Sequence, residues 1–138
     1  MDVSQIAESG VLDNKKVLVA EDNPANQLVL KKLLKKVNLV PVFAENGQEA
    51  LDQYKSDPGS WDLILMDCEM PVMDGYSATE AIRQFEQEAG VEKQAIIGLS
   101  AHAIDELKNK ALSKGMDDYL TKPIERDSLF KTLVDYLS

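Results

Sequence analysis

Three acids, a hydroxyl and a lysine stand where short apolar runs of this chain end. Glu21 and Asp22 follow Lys16-Val17-Leu18-Val19-Ala20, and Asp67 follows Leu63-Ile64-Leu65-Met66. Ser100 follows Ala95-Ile96-Ile97-Gly98-Leu99, and Lys122 follows Asp118-Tyr119-Leu120-Thr121. Each residue type suits one task. A carboxylate can attack phosphorus as a nucleophile. Adjacent carboxylates repel unless something positive sits among them. Their hard oxygens favour Mg²⁺, or Mn²⁺ as a substitute, over metals that prefer softer ligands. A metal and an ammonium group neutralise charge on transferring oxygens, and a hydroxyl donates a hydrogen bond to one of them. Gathered in one place, the five would suit a phosphoryl group.

Taken singly, each has a plainer explanation. Acids before Pro24 can be helix N-caps, because proline suits the first helical turn. A lone serine or lysine at a strand end is usually solvated surface. Asp67 is a poor cap, since Pro71 and Gly75 delay the next helix. The coincidence of five such groups at matching strand ends favours a site.

The elements that would carry them follow from periodicity. The apolar runs above are strand candidates, together with Val40 to Ala44. Between them lie helical patterns. Leu30, Leu33, Leu34 and Val37 mark a helix over Asn26 to Val37. Ala50, Leu51 and Tyr54 mark a helix capped by Asn46. A third runs from about Ser77 to Glu88. Ile104, Leu107 and Ala111 mark a fourth, ended by Gly115, and Leu129, Phe130, Leu133, Val134 and Leu137 mark a fifth. Near-continuous apolar strands alternating with amphipathic helices predict an α/β, doubly wound parallel sheet covered on both faces. Five strands fit the flavodoxin-like order 2-1-3-4-5, with five helices. In that order strands one and three are neighbours, and ligands bind at the switch point beyond their C-terminal ends. Glu21, Asp22 and Asp67 would converge there. Residues 1–14, MDVSQIAESGVLDN, are polar, small and aperiodic, and read as a tail or linker ahead of a single domain over 15–138.

Composition agrees with one globular domain and narrows its partners. The 138 residues are 44% hydrophobic and 28% charged, with a net charge of −9. That acidity opposes nonspecific nucleic-acid binding, which needs clustered Lys and Arg. One cysteine, Cys68, and one histidine, His102, allow neither an internal disulfide nor a closed zinc site. No apolar run is long enough to span a bilayer. Met1 to Asp13 lacks the features of a signal peptide, so the cytoplasm is the expected compartment.

The stretches VLVAEDNPAN (17–26), LILMDCEMPVMDG (63–75), IIGLSAHA (96–103) and DDYLTKPI (117–124) resemble the receiver domain of bacterial two-component response regulators. The wording is most similar to receivers fused to hybrid sensor histidine kinases. The resemblance covers roughly residues 15–138. It implies that Asp67 accepts a phosphoryl group from a histidine kinase or histidine phosphotransfer domain. It implies Mg²⁺ held by Asp22 and Asp67, by Glu21 largely through water and by the backbone carbonyl of Glu69. Ser100 and Lys122 would contact the phosphoryl group, and the Lys122-Pro123 bond would be cis. Tyr119 would couple its orientation to Ser100, switching the surface of the fourth helix, fifth strand and fifth helix. The module would carry self-phosphotransfer and autodephosphorylation activity, on its own or as part of a histidine kinase. The domain would act as a monomer, or a weak dimer formed on phosphorylation, in the cytoplasm or as the cytoplasmic part of a membrane-bound kinase.

The remaining polar and sulfur groups are expected to be quieter. Glu69 stands where related sequences often carry a neutral side chain, and with His102 it should border the path of hydrolytic water and tune phosphoryl lifetime. Cys68, Met66, Met70 and Met73 read as packing. Lys31, Lys32, Lys35 and Lys36 read as a solvated helix face. A free-standing response regulator is one alternative. A metal-dependent phosphatase with an aspartyl nucleophile is another, favoured by Glu69 two residues after Asp67 but lacking sequence for a cap. A nucleotide or flavin binder lacks any glycine-rich phosphate loop. A receiver-like adaptor that is never phosphorylated is opposed by the complete set of site residues.

Overall fold

The computed structural model describes residues 2–138. Its sheet is parallel and five-stranded, in the order β2-β1-β3-β4-β5. The strands are β1 (Lys16–Ala20), β2 (Val40–Ala44), β3 (Leu63–Asp67), β4 (Ile96–Ser100) and β5 (Asp118–Thr121). The helices are α1 (Val3–Ser9), α2 (Pro24–Lys36), α3 (Gly47–Ser56), α4 (Gly75–Ala89), α5 (Asp105–Ser113) and α6 (Arg126–Leu137). The expected fold class and strand order hold.

Alternation along the strands divides the apolar residues between two layers. Val17, Val19, Leu63, Leu65, Ile97 and Leu99 face one cluster, closed by Leu30 and Leu34 of α2 and Leu129, Phe130 and Leu133 of α6. Leu18, Ala20, Ile64 and Met66 face the other, with Ala50, Leu51 and Tyr54 of α3 and Ala78 and Ile82 of α4. All residues of β3 and β4 are buried, because helices cover both faces of a central parallel strand.

Among the described residues the helices number six, not five: residues 3–9, read from the sequence as part of an aperiodic segment, form a helix. Asp2 accepts from the backbone N–H of Gln5 at 2.8 Å, and the Gln5 side chain accepts from Asp2 N at 2.9 Å. This reciprocal capping box starts α1, and Gly10, at φ 71°, ends it. Ile6 and Leu12 lie buried in the first core cluster, which is why so short a polar segment folds back. Only Ile6 of the seven helical residues is fully buried, with Val3 packed partly against the same cluster, and two large apolar residues in two turns are too few to read as a period.

Caps decide what the strand-end acids are free to do. Asn23, not Asp22, caps α2 by accepting from Ala25 N and Asn26 N. Asn46 caps α3, as expected, and Asp74 caps α4. Asp22 and Asp67 are therefore not spent on helix starts. At the opposite edge of the sheet, Arg83 of α4 donates to the Gly115 and Gln94 carbonyls and to Glu86 and Asp117. Asp117 in turn accepts from Ile96 N at 2.8 Å, tying the starts of β4 and β5 to α4.

Candidate functional site

Register brings the acids together. Ala20 of β1 pairs with Met66 of β3, so Glu21 and Asp67 leave adjacent strands side by side. Oxygens of Glu21, Asp22 and Asp67 lie within 4.8 Å of one another, and this is a metal-competent acid group among the described residues. Glu21 and Asp67 are buried, and Asp22 is exposed at the mouth. Lys122 arrives from the end of β5, next to a cis Lys122-Pro123 bond as expected. Its Nζ lies 2.9 Å from Asp67 Oδ2 and 3.1 Å from Glu21 Oε1.

The electrostatics of the buried acids are unequal. Burial, with help from the neighbouring Glu21, pushes the Asp67 carboxyl up to about 7, against the pull of Lys122. Burial raises Glu21 as well, but its hydrogen bonds to Asp67 and Lys122 outweigh that and hold it below the ordinary range. Burial opposes the charge on Lys122, yet the two carboxylates keep it raised and protonated. One ammonium thus serves two buried carboxylates, and a third carboxylate stands beside them. This donor set, hard oxygens with a deficit of positive charge, fits a divalent cation such as Mg²⁺.

A close backbone approach shapes the floor. A Cβ on Gly75 would lie 2.1 Å from the Asp67 carbonyl oxygen. Only glycine lets α4 begin there, and Gly75 N donates to the Cys68 carbonyl at 3.1 Å. The loop between them also presents Glu69, whose backbone N–H donates to Asp67 Oδ1 at 3.1 Å.

The second half of the set lies at the end of β4. Ser100 is buried, and its Oγ donates toward the Glu69 carboxylate, 3.0 Å from Oε1. Ala101 N donates to the same oxygen at 3.0 Å. Sequence reasoning did not foresee this contact, and Ala101 carried no signal except its place after Ser100. His102 is exposed, and its hydrogen bonds in this region use the backbone: its N–H donates to Ser100 Oγ at 3.1 Å, and its carbonyl accepts from the Tyr119 hydroxyl at 2.5 Å. Tyr119 therefore lies against the Ser100 segment. Cys68 is buried, and burial pushes its thiol up to about 12, in keeping with a packing role. Met66 is core, while Met70 and Met73 pack partly against it. Lys31, Lys32, Lys35 and Lys36 are exposed.

Buried acids, a shared lysine and a strand-end hydroxyl thus meet at the switch point of a 2-1-3-4-5 sheet. Residues 17–134 match the family model of the response regulator receiver domain, and the chain belongs to that family. It is a receiver of two-component phosphorelay signalling. It is 41% identical over 121 residues to the sensor histidine kinase GacS of Pseudomonas protegens, covering 88% of this chain and 13% of that protein. It is 38% identical over 122 residues to hybrid signal transduction histidine kinase A of Dictyostelium discoideum, covering 88% of this chain and 6% of that one. The chain thus spans a small part of these relatives. Among solved structures it is similar to the receiver domain of the response regulator Ssk1 of Saccharomyces cerevisiae, crystallised with the histidine phosphotransfer protein Ypd1. The TM-score is 0.85 and identity 35%, over 91% of this chain and 90% of that one. It is also similar to the receiver of a Pseudomonas aeruginosa sensor histidine kinase with magnesium coordinated in its active-site cleft. There the TM-score is 0.78 and identity 36%, over 90% and 98% of the two chains. No helix among the described residues is long and apolar enough to cross a membrane.

Proposed function

We propose that Asp67 accepts a phosphoryl group from a phosphohistidine donor in a Mg²⁺-dependent reaction. The observation that carries this reading is the placement of the buried Asp67 carboxylate, 2.9 Å from Lys122 and within reach of Glu21 and Asp22. An Asp67 oxygen attacks phosphorus, forming a P–O bond as the P–N bond breaks. The electron pair of that bond stays on the imidazole nitrogen, and the donor ring, protonated on its other nitrogen, leaves as neutral imidazole. Lys122 moves positive charge from the carboxylate pair towards the transferring oxygens, and Ser100 Oγ–H donates to one of them. Asp22, Asp67 and the Glu69 carbonyl would hold Mg²⁺ or Mn²⁺, with Glu21 through water, and the ion would add charge stabilisation at the same oxygens. Water later attacks phosphorus and releases phosphate, restoring the carboxylate. Glu69 and His102 lie beside that path.

The donor is a histidine kinase or a histidine phosphotransfer domain, as in the partner of the Ssk1 receiver. Similarity to hybrid kinases supports a place for this chain within such a protein, on the cytoplasmic side of the membrane where that protein is membrane-bound. Phosphorylation draws on Ser100 and Tyr119 to alter the surface of α5, β5 and α6. This is a population shift limited by the differential contacts of the phosphoryl group. The test is incubation with acetyl phosphate and Mg²⁺ followed by intact-mass spectrometry. One hydroxylamine-labile phosphoryl group is expected on the wild type and none on Asp67→Ala. Equal labelling of the variant would move the acceptor elsewhere.

A further inference from the structure

The Glu69 carboxylate occupies the Ser100 hydroxyl that the phosphoryl group is expected to need, together with the neighbouring Ala101 N–H. Ser100 Oγ–H lies 3.0 Å from Oε1 and 3.2 Å from Oε2, and Ala101 N–H lies 3.0 Å from Oε1. Ser100 is itself held in place by the His102 N–H at 3.1 Å. The anion is anchored from below, since Glu69 N donates to Asp67 Oδ1 at 3.1 Å. Acceptor carboxylate and competing carboxylate therefore leave the same short turn and point to the two ends of one small space. Tyr119, bonded to the His102 carbonyl, closes over the segment.

We propose that Glu69 is an internal surrogate for the phosphoryl group. In the unphosphorylated chain it serves as the anion acceptor for Ser100 and Ala101, and an incoming phosphoryl group must displace it. This positioning role rests on the reading of Asp67 as phosphoacceptor. The physics is direct. Two donors aimed at one point accept one anion at a time, and a dianionic group on Asp67 repels a carboxylate placed beside it. Charge-assisted bonds of this kind are short and strong, so their exchange has a measurable cost. The binding-competent fraction is the fraction in which Glu69 has swung away, and apparent affinity for any phosphoryl mimic falls by that fraction.

Beryllofluoride with saturating Mg²⁺ is the probe, read through backbone amide NMR of the wild type, Glu69→Ala and Glu69→Gln. Before any beryllofluoride is added, Glu69→Ala should shift the Ala101 amide upfield, since its acceptor is gone. Glu69→Gln should leave it near the wild-type position, since the side-chain amide oxygen still accepts. Added beryllofluoride should return the Ala101 amide of Glu69→Ala to the wild-type field. The dissociation constant should fall about 3- to 10-fold in Glu69→Ala, corresponding to a latched fraction of roughly 70–90%. An Ala101 amide unmoved by Glu69→Ala, or an affinity that is unchanged or weaker, would overturn the surrogate role. No beryllofluoride binding even to the wild type would overturn the phosphoacceptor reading instead, and the amide shifts without beryllofluoride would still decide the role of Glu69.

Discussion

Among the described residues Lys122 is the single cation against the buried acid pair, and its loss has a defined consequence. Its Nζ contacts both Asp67 and Glu21. Removing a positive group aimed at developing charge in a closed site typically costs about 10²- to 10³-fold in rate. Lys122→Ala should slow labelling by acetyl phosphate by about 10²-fold, measured by time-resolved intact mass at saturating Mg²⁺, with Lys122→Arg recovering only part of it because a planar fork does not fit a point-charge position. A change of less than threefold would place the lysine outside the transferring oxygens. Cys68 gives the opposite case. Its thiol is buried beside the acids and pushed up to about 12, so almost none is thiolate at neutral pH. Native protein should therefore react with an aromatic disulfide reagent far more slowly than unfolded protein, which should titrate as one thiol. Fast reaction of the native form would show that the β3 end opens.

At the scale of the element, the contrast between α1 and the rest shows what a sequence displays. Strands β1, β3 and β4 were readable because four or five consecutive apolar or small residues between breakers have few other uses, and the site followed because strand order fixes which ends are neighbours. Asn46 marked a helix start through its own chemistry and Pro24 suited a first helical turn, whereas the cap beside it proved to be Asn23 and not an acid. Helix α1 had a local signal in Asp2 and Gln5, but its apolar content is too thin to establish a face, and its stability comes from tertiary contact through Ile6 and Leu12. Arg83 was equally hidden, because its partners at Gly115, Gln94 and Asp117 are assembled only by folding. The Glu69 contact to Ser100 spans 31 positions and leaves no pattern either. If α1 is an integral part of the fold, Ile6→Ala should lower unfolding free energy by about 2–4 kcal/mol, as large-to-small changes at buried sites do. Urea unfolding with an unchanged slope is the measurement. A loss below about 0.5 kcal/mol would return residues 1–14 to the status of a tail.

For the whole molecule, the site is a local debit in a chain that already carries a net charge of −9. Three carboxylates meet at one edge of the sheet with one lysine between them, while the opposite edge is tied by the better-matched Arg83, Glu86 and Asp117. A divalent cation that binds only the folded form stabilises it by mass action, about 2.7 kcal/mol at a hundred times the dissociation constant. Simple salt acts differently, screening the acidic surface in general and reaching buried pairs poorly. The two can be separated by thermal unfolding in MgCl₂ and in NaCl at equal ionic strength. Mg²⁺ should raise the midpoint by several degrees, roughly 2–4 °C for each kcal/mol in a domain of this size, and NaCl by much less. Asp22→Ala should lose most of the Mg²⁺-specific part and keep the NaCl response, because Asp22 is exposed and contributes a ligand without holding the core. Equal effects of the two salts on the wild type would assign the stabilisation to the −9 surface as a whole and leave the acid cluster without a specific ion.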